Sequence, residues 1–535
     1  MARKIFSRKI AIFAILIILG GGSWVSTYLF ADTVDSLKKQ LLKLQMVISY
    51  AKNYYVDDID WDDAMTGAIN GFLNELDPHS VYINEKSAKT NAENFSGKYE
   101  GIGIQYDVID GYITVVAAFV GSPAYKVGLE SGDKIVKIDG VSAVGISRDD
   151  VPKKLKGPAG TMVHVSVSRT GVDELLEMDI ERAAIPLNSV ISSFMWDDNT
   201  GYIQLNRFMA TTGDEMEKAL DILEGKGMKR LILDLRNNPG GYLREAVKVA
   251  GKFLSGHSKV VYTKDRSGRV VSELYSDTFS KEKTRDMALI VMVNKASASA
   301  SEIVSGALQD YDRALIVGEN TFGKGLVQRE FDLPDGSKLR MTTAKYYIPS
   351  GRLIQKDYKG KNRTEYYTEH AAADSLSADS THRPVFYTIR LKRKVFGGGG
   401  IFPDEEYSSE EFAKDASFVI KLGSKRVFFE TAREMIESGE IKAKNYLSFL
   451  NSFKFSDKDL KKIAKVAESK ELTYPWESYE KDREFIRLSL IREITRSQYG
   501  IDEMREVLHR LDKEIQNAIN YFNESQELVQ NYTFD

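Results

Sequence analysis

The sequence predicts a multidomain α/β protein: a membrane-anchor helix, a helical N-terminal region, a β-rich segment, an α/β core and an all-α C-terminal extension. Three observations carry that expectation. An uncharged apolar stretch opens the chain, strand and helix patterns alternate from Pro186 to about Ser350, and the residues after Glu405 are highly charged with helical spacing. With 535 residues, 42% hydrophobic and 28% charged, the chain can build several domains with real cores. A formal net charge of −3 and no long basic stripe argue against a nucleic-acid binder. Without cysteine there are no disulfides, thiolate metal sites or cysteine nucleophiles, and an oxidising compartment stays open.

The first segment, 1–31, contains Ile10 to Ala31, which carries no charged residue and is long enough to span a bilayer as a helix. Arg3, Lys4, Arg8 and Lys9 precede it, so the positive-inside rule leaves the N-terminus in the cytoplasm. The expected location is the inner (cytoplasmic) membrane, single-pass, with the remainder facing the periplasm or cell exterior. A cleaved signal peptide is the alternative, because Gly20 to Ser23 are small residues after a shorter apolar core. Through 32–84, apolar residues at helical spacing (Leu41, Leu44, Val47, Ile48, Ala51, then Met65, Ile69, Phe72, Leu73) predict amphipathic helices outside the membrane. His79, next to Pro78, reads as a turn or helix-end residue.

From 85 to 184 short strand patterns are punctuated by glycine. The segment Gly101, Ile102, Gly103, Ile104 can be a tightly packed strand. It can equally present free N–H groups to a chain-terminal carboxylate, with an exposed sheet edge taking the attached peptide as an added strand.

The core, 185–404, is read as a strand at Tyr202–Leu205, a helix at Asp214–Leu223, a buried strand at Leu231–Leu235 and a helix at Leu243–Phe253. A further buried strand, Leu289–Val293, runs into Ser297, Ser299 and Ser301, separated by alanines, before a helix begins near Glu302. A serine at such a turn exposes its hydroxyl beside N–H groups that can hold an oxyanion. After a strand at Ala314–Gly318 come Gly323, Lys324 and Gly325, with Gln328 four residues past the lysine. No histidine lies within Val291–Gln328, and no GxSxG elbow is present. A lysine made basic by burial is then the candidate partner for a serine nucleophile, and Gln328 could orient its amine.

The blocks SASASE and ENTFGKGLVQ, from Ser297 to Gln328, resemble the signature of the C-terminal processing peptidases, or tail-specific proteases, a family of Ser-Lys serine peptidases. The resemblance runs from about Asn53 to Asp404 and implies an α/β core of the crotonase/ClpP-like kind. It points to Ser299 as nucleophile, Lys324 as base and Gln328 as third member of a triad. DLRNNPGG, Asp234 to Gly241, belongs to the same pattern, and the N–H groups of Ala300 and of Gly240 or Gly241 become candidates for the oxyanion hole. Asp234 and Arg236 are expected to fix loops as a buried pair, and Asp310 to support the site.

The 85–184 segment resembles the PDZ domain that this family carries, with Gly101–Ile104 as its carboxylate-binding loop. Tyr54–Ile83 resembles the family's N-terminal helical region, which implies a homodimer or higher homo-oligomer. Some relatives have an arginine near Leu155–Pro158 that couples PDZ position to catalysis. This chain has Lys156, which lacks the planar fork.

The resemblance implies a serine endopeptidase acting on protein or peptide substrates held by their C-terminal tails, tied to the membrane by its N-terminal helix, with no metal, cofactor or nucleic acid. The alternative is a catalytically silent PDZ scaffold or holdase. Thr364–Ser380 is expected to be an exposed loop. In 405–535, Met504, Leu508, Leu511, Ile515 and Ile519 predict one long amphipathic helix.

Overall fold

The computed structural model describes residues 36–530, apart from 120, 131, 170, 373–382 and 408–416. The expected membrane anchor lies outside the described residues. Among the described residues no helix is long and apolar enough to cross a membrane. The chain divides into two compact units, Met1–Glu75 and Leu76–Asp535. In the first, helices cover 36–54 and Trp61–Asn74, and Asp60 caps the second by accepting from the Asp63 N–H. Leu41, Val47, Tyr54 and Phe72 remain exposed.

The second unit is built on a six-stranded sheet in the order Val190–Met195, Thr200–Leu205, Arg230–Asp234, Ala288–Val293, Leu315–Gly318, Glu405–Glu406. All pairings but the first are parallel. All six residues of Ala288–Val293 are buried, as a strand covered on both faces requires. Alternate residues divide between two cores. Leu231, Leu233, Leu289, Val291 and Ile316 pack with the helices Thr212–Gly225, Leu243–Gly251 and Ala300–Asp310. Tyr202, Ile232, Ile290, Met292 and Val317 pack with Ile515, Ala518, Phe522 and Leu528 of the C-terminal extension. That extension therefore closes the second face of the core sheet. The functional loops 236–241, 294–301 and 319–325 all leave the carboxyl ends of parallel strands, where α/β sheets place their sites.

A second sheet joins Val81–Ile83, Lys338–Tyr347, Lys259–Lys264 and Val270–Tyr275, with Leu326–Asp332 also paired to Lys338–Tyr347. The β-rich segment forms a separate sheet around its own apolar core, including Ile113, Ile135, Val163 and Val165. Its strand Ile104–Ile109 pairs only with Tyr112–Ala118 and so is an edge. A two-stranded ribbon, Lys98–Gly101 with Ala183–Pro186, brackets this sheet.

Two expectations are corrected. Within the stretch expected to be a loop, Arg363–Ala372 is a helix, and 373–382 lie outside the described residues. Asn362 and Glu365 exchange reciprocal bonds at its start, and the buried Tyr366 anchors it. The single long C-terminal helix is broken. Ile501–Leu511 ends at Asp512, whose extended backbone (φ −74, ψ 113) starts a new helix, Lys513–Ala518. The Asp512 carboxylate accepts from the N–H groups of Glu514 and Ile515, a capping role that outcompetes continuation of the helix.

Candidate active site

Ser299 stands between the buried strand Ala288–Val293 and the helix Ala300–Asp310, every residue of which is buried. Small residues make that possible, since a Cβ on Gly306 would meet both Ile348 Cδ1 and Ile401 Cδ1 at 2.8 Å. Ser299 has φ 56 and ψ −111, a conformation that costs a non-glycine residue about 1–3 kcal/mol and must be held by its surroundings. Its N–H donates to Glu302 Oε2 at 2.7 Å, and its carbonyl accepts from the Tyr346 hydroxyl at 3.1 Å. The outer serines are committed to structure: Ser297 Oγ donates to the Leu235 carbonyl at 2.8 Å and Ser301 Oγ to that of Asn238 at 2.9 Å. Both are fully buried, whereas Ser299 keeps partial exposure.

Lys324 lies on the loop 319–325, which packs on the four consecutive glycines Gly397 to Gly400. Gly400 (φ +97) approaches so closely that a Cβ there would meet the Thr321 carbonyl oxygen at 2.4 Å. Burial lowers the Lys324 ammonium from its ordinary range to about 8, and the nearby Arg340 charge adds to the effect. Lys324 Nζ donates to Gln328 Oε1 at 2.8 Å, and Gln328 Nε2 donates to the His79 carbonyl at 2.6 Å. The amine is thus aimed by a relay. Among the described residues no hydrogen bond joins Ser299 Oγ to Lys324 Nζ; the two are tied through their backbones. The Glu302 carboxylate accepts from the N–H groups of Ser299, Gly323 (2.7 Å) and Lys324 (2.9 Å) and from Thr321 Oγ1 (2.6 Å). The single Tyr346 hydroxyl proton is shared between the Lys324 carbonyl at 2.5 Å, the shorter contact, and that of Ser299 at 3.1 Å. One carboxylate and one phenol therefore clamp both segments.

The loop after Asp234 lies against Ser299. A Cβ on Gly240 (φ +96) would meet Ala298 O at 2.7 Å, Ala300 N at 2.8 Å and Ser299 Cβ at 2.8 Å. The Gly240 N–H is spent on Asn238 Oδ1 at 2.9 Å, so it has no bond to offer an oxyanion. The N–H groups of Gly241 and Ala300 are not drawn into a hydrogen bond among the described residues. Asp234 and Arg236 form the expected buried pair, Arg236 Nη2 to Asp234 Oδ2 at 2.6 Å. Asp310 is fully buried against Arg352 at 2.8 Å and accepts from the Ser350 N–H, behind the site rather than in it.

Four contributors had no clear sequence signal. Glu302 matches a capping-box pattern with Ser299, which explains its bond to the Ser299 N–H but not its hold on the Lys324 loop. Tyr346 lies on a long strand, and Asn238 acts through its carbonyl and amide. His79 acts through its backbone, while its ring sits 3.0 Å from the Tyr366 hydroxyl and 3.1 Å from that of Tyr367. Burial, with the Lys324 charge nearby, lowers the imidazolium to about 3, so this ring is neutral at working pH.

The segment Gly101–Ile104 is buried and leads into the edge strand. Gly103 (φ +80) has no room for a side chain, because a Cβ would meet Ser122 Cβ at 2.4 Å. The carbonyls of Ile102 and Gly103 turn inward to the Ala124 and Phe119 N–H groups. Lys156 does not reach the Lys324 segment; its amine pairs with Glu93 at 2.7 Å and lies over the Tyr99 ring. Among the described residues no cluster of side chains could hold a metal ion.

Residues 199–362 match the model of peptidase family S41, 114–169 that of a PDZ domain and 27–87 that of the activating protease CtpB N-terminal domain. The carboxy-terminal processing protease CtpA of Bacillus subtilis is 34% identical over 69% of this chain and 78% of its own length. The carboxy-terminal-processing protease of Bartonella bacilliformis is 37% identical over 59% of this chain and 73% of its own. Among solved structures, a photosystem II D1 C-terminal processing protease is 26% identical, with 71% of this chain and 90% of that chain covered and a TM-score of 0.35. The chain belongs to peptidase family S41, and it is a serine-type, carboxy-terminal processing protease carrying a PDZ domain.

Proposed function

We propose that the chain is an extracytoplasmic endopeptidase that takes substrates by their C-terminal tails and cleaves them through a Ser-Lys acyl-enzyme. The observation that carries this reading is the double clamp of Glu302 and Tyr346 on the Ser299 and Lys324 segments, with the amine of Lys324 lowered to about 8. Neutral Lys324 accepts the Ser299 proton as Oγ bonds to the scissile carbonyl carbon. The N–H groups of Ala300 and Gly241 meet the resulting oxyanion. The leaving amine takes the proton back from Lys324 as the C–N bond breaks. Water, deprotonated by Lys324, then hydrolyses the ester. In the resting structure the amine rests on Gln328, and substrate binding brings it to Ser299 Oγ.

The open edge of Ile104–Ile109 and the Gly101–Ile104 loop suit an added peptide strand with its terminal carboxylate. A second copy of the chain is the natural cover for the exposed apolar residues of the 36–54 and Trp61–Asn74 helices. The uncharged stretch Ile10–Ala31 after four basic residues supports a membrane-tied protein with its PDZ and peptidase parts outside the cytoplasm.

The test incubates the full chain and its Ser299→Ala variant with an unfolded protein ending in apolar residues, following cleavage by mass spectrometry and binding by anisotropy. Cleavage by the parent only, with binding by both, is expected. Binding by both without cleavage by either would favour the silent scaffold. A second variant probes the crowded glycine. Gly240→Ala should leave a folded protein, destabilised by about 1–3 kcal/mol, with turnover reduced about a hundredfold, because the new methyl displaces Ser299. Wild-type kcat with a normal melting temperature would remove Gly240 from the site.

A further inference from the structure

The C-terminal extension does more than cover the sheet. Where Asp512 breaks the helix, Asp512 and Glu514 reach the guanidinium of Arg236: Nη2 donates to Asp512 Oδ2 at 2.9 Å and Nη1 to Glu514 Oε2 at 2.5 Å. Arg236 is already paired with Asp234, which in turn accepts from the Tyr202 hydroxyl at 2.7 Å. The guanidinium is thus gripped from both sides and nearly buried. Directly after it runs the loop that flanks Ser299. The Asn237 N–H donates to Asn294 Oδ1 at 2.9 Å, the Asn238 carbonyl accepts from the Ala298 N–H at 3.0 Å and Ser301 Oγ at 2.9 Å, and Gly240 lies against Ser299.

Docking of the extension has separate support. Arg510 donates to the carbonyls of Met195 and Trp196, Ser525 Oγ donates to that of Leu289, and Ile515, Ala518, Phe522 and Leu528 pack on the sheet. Asp512 Oδ1 also caps the following helix by accepting from the Glu514 and Ile515 N–H groups, a role an asparagine Oδ1 keeps. Towards the core, the hydrogen bonds of both carboxylates among the described residues go to Arg236, the residue that begins the Ser299-flanking loop.

We infer that Asp512 and Glu514 are positioning residues of the peptidase, fixing Arg236 and through it the 236–241 loop beside Ser299, so that the C-terminal extension is part of the catalytic apparatus. This rests on Ser299 being the nucleophile. Two carboxylates on the extension and one on the core hold the guanidinium in one place, and the loop that follows inherits that position. A loop shifted by a fraction of an ångström would carry the Gly241 N–H away from the oxyanion.

The test compares the full-length parent with the near-isosteric double variant Asp512→Asn/Glu514→Gln, with Glu514→Asp, and with Arg510→Ala, which loosens the same interface without touching Arg236. Hydrogen–deuterium exchange of 236–241, melting temperature, and kcat and KM on a peptide are read for each. In the double variant, exchange across 236–241 should quicken and kcat should fall about tenfold, with KM changed by less than about twofold. Glu514→Asp should recover most of kcat. Arg510→Ala should lower the melting temperature at least as much while keeping parental kcat. Unchanged loop exchange in the double variant, or kcat that simply follows melting temperature across the set, would overturn the inference. A parent that fails to cleave would instead fault the Ser299 reading, while the exchange data would still decide whether the carboxylates position the loop.

Discussion

Replacing Lys324 by methionine should abolish turnover and at the same time make the protein more stable. The lysine amine is held at about 8 by burial, well below its ordinary 10.5. Because the folded state then binds its proton less tightly than the unfolded chain, the charged lysine opposes folding. The cost is fully present below pH 8 and fades as pH rises towards 10.5. Removing the group should add up to about 3 kcal/mol to unfolding free energy at neutral pH, and progressively less in alkaline buffer. Peptidase activity should drop to background, since the proposed base is the neutral form of Lys324, roughly a tenth of its population at neutral pH. Urea unfolding at two pH values beside a peptide assay reads both. Unchanged or reduced stability would show that Lys324 is solvated and fully charged, and the base assignment would fall with it.

The second large effect belongs to Glu302. Burial raises the pKa of its fully buried carboxylate, against the opposing pull of four donors that favour the ionised form. Glu302→Ala would strand the N–H groups of Ser299, Gly323 and Lys324 and the Thr321 hydroxyl without water. The expected cost is about 3–5 kcal/mol. Glu302→Gln is the more informative change: it keeps the shape but turns one oxygen into a donor facing other donors. It should cost about 2 kcal/mol and lower kcat at least about a hundredfold, because Ser299 and Lys324 lose the group that holds them together. Chemical denaturation and steady-state kinetics measure the two effects. If Glu302→Gln retained parental kcat, the clamp would be structural decoration and the geometry would have to be maintained by Tyr346 alone.

The core was legible because its strands are continuous apolar runs between helical patterns, so Leu289–Val293 and Leu231–Leu235 appear in the structure within a residue or so of where periodicity puts them. The serine and lysine segments were legible from short blocks of small residues, and the structure brings both blocks together with Gln328. Groups acting through the backbone were not. The His79 carbonyl has no residue signature, and its approach to Gln328 spans a separation no local pattern can report. Sequence leaves Gly240 open as an oxyanion donor because it cannot reveal that Asn238 occupies its N–H. The break at Asp512 was hidden inside an unbroken apolar stripe; a capping aspartate in mid-helix was the available clue. Nor could the residues show that this extension covers Ile232, Ile290 and Met292, since a strand buried on both faces does not say what buries it.

The most direct test of the account is the pH dependence of kcat/KM for a peptide substrate between about pH 6 and pH 10, since kcat/KM reports the titration of the free enzyme's essential base. His79, lowered to about 3 by burial, is neutral throughout this window and supplies no transition in it, whereas the proposed base Lys324, lowered to about 8, does. With Lys324 as the base, kcat/KM should rise with a midpoint near 8, and the rise should be absent in Lys324→Met. A flat profile, or a rise that persists in Lys324→Met, would contradict that assignment.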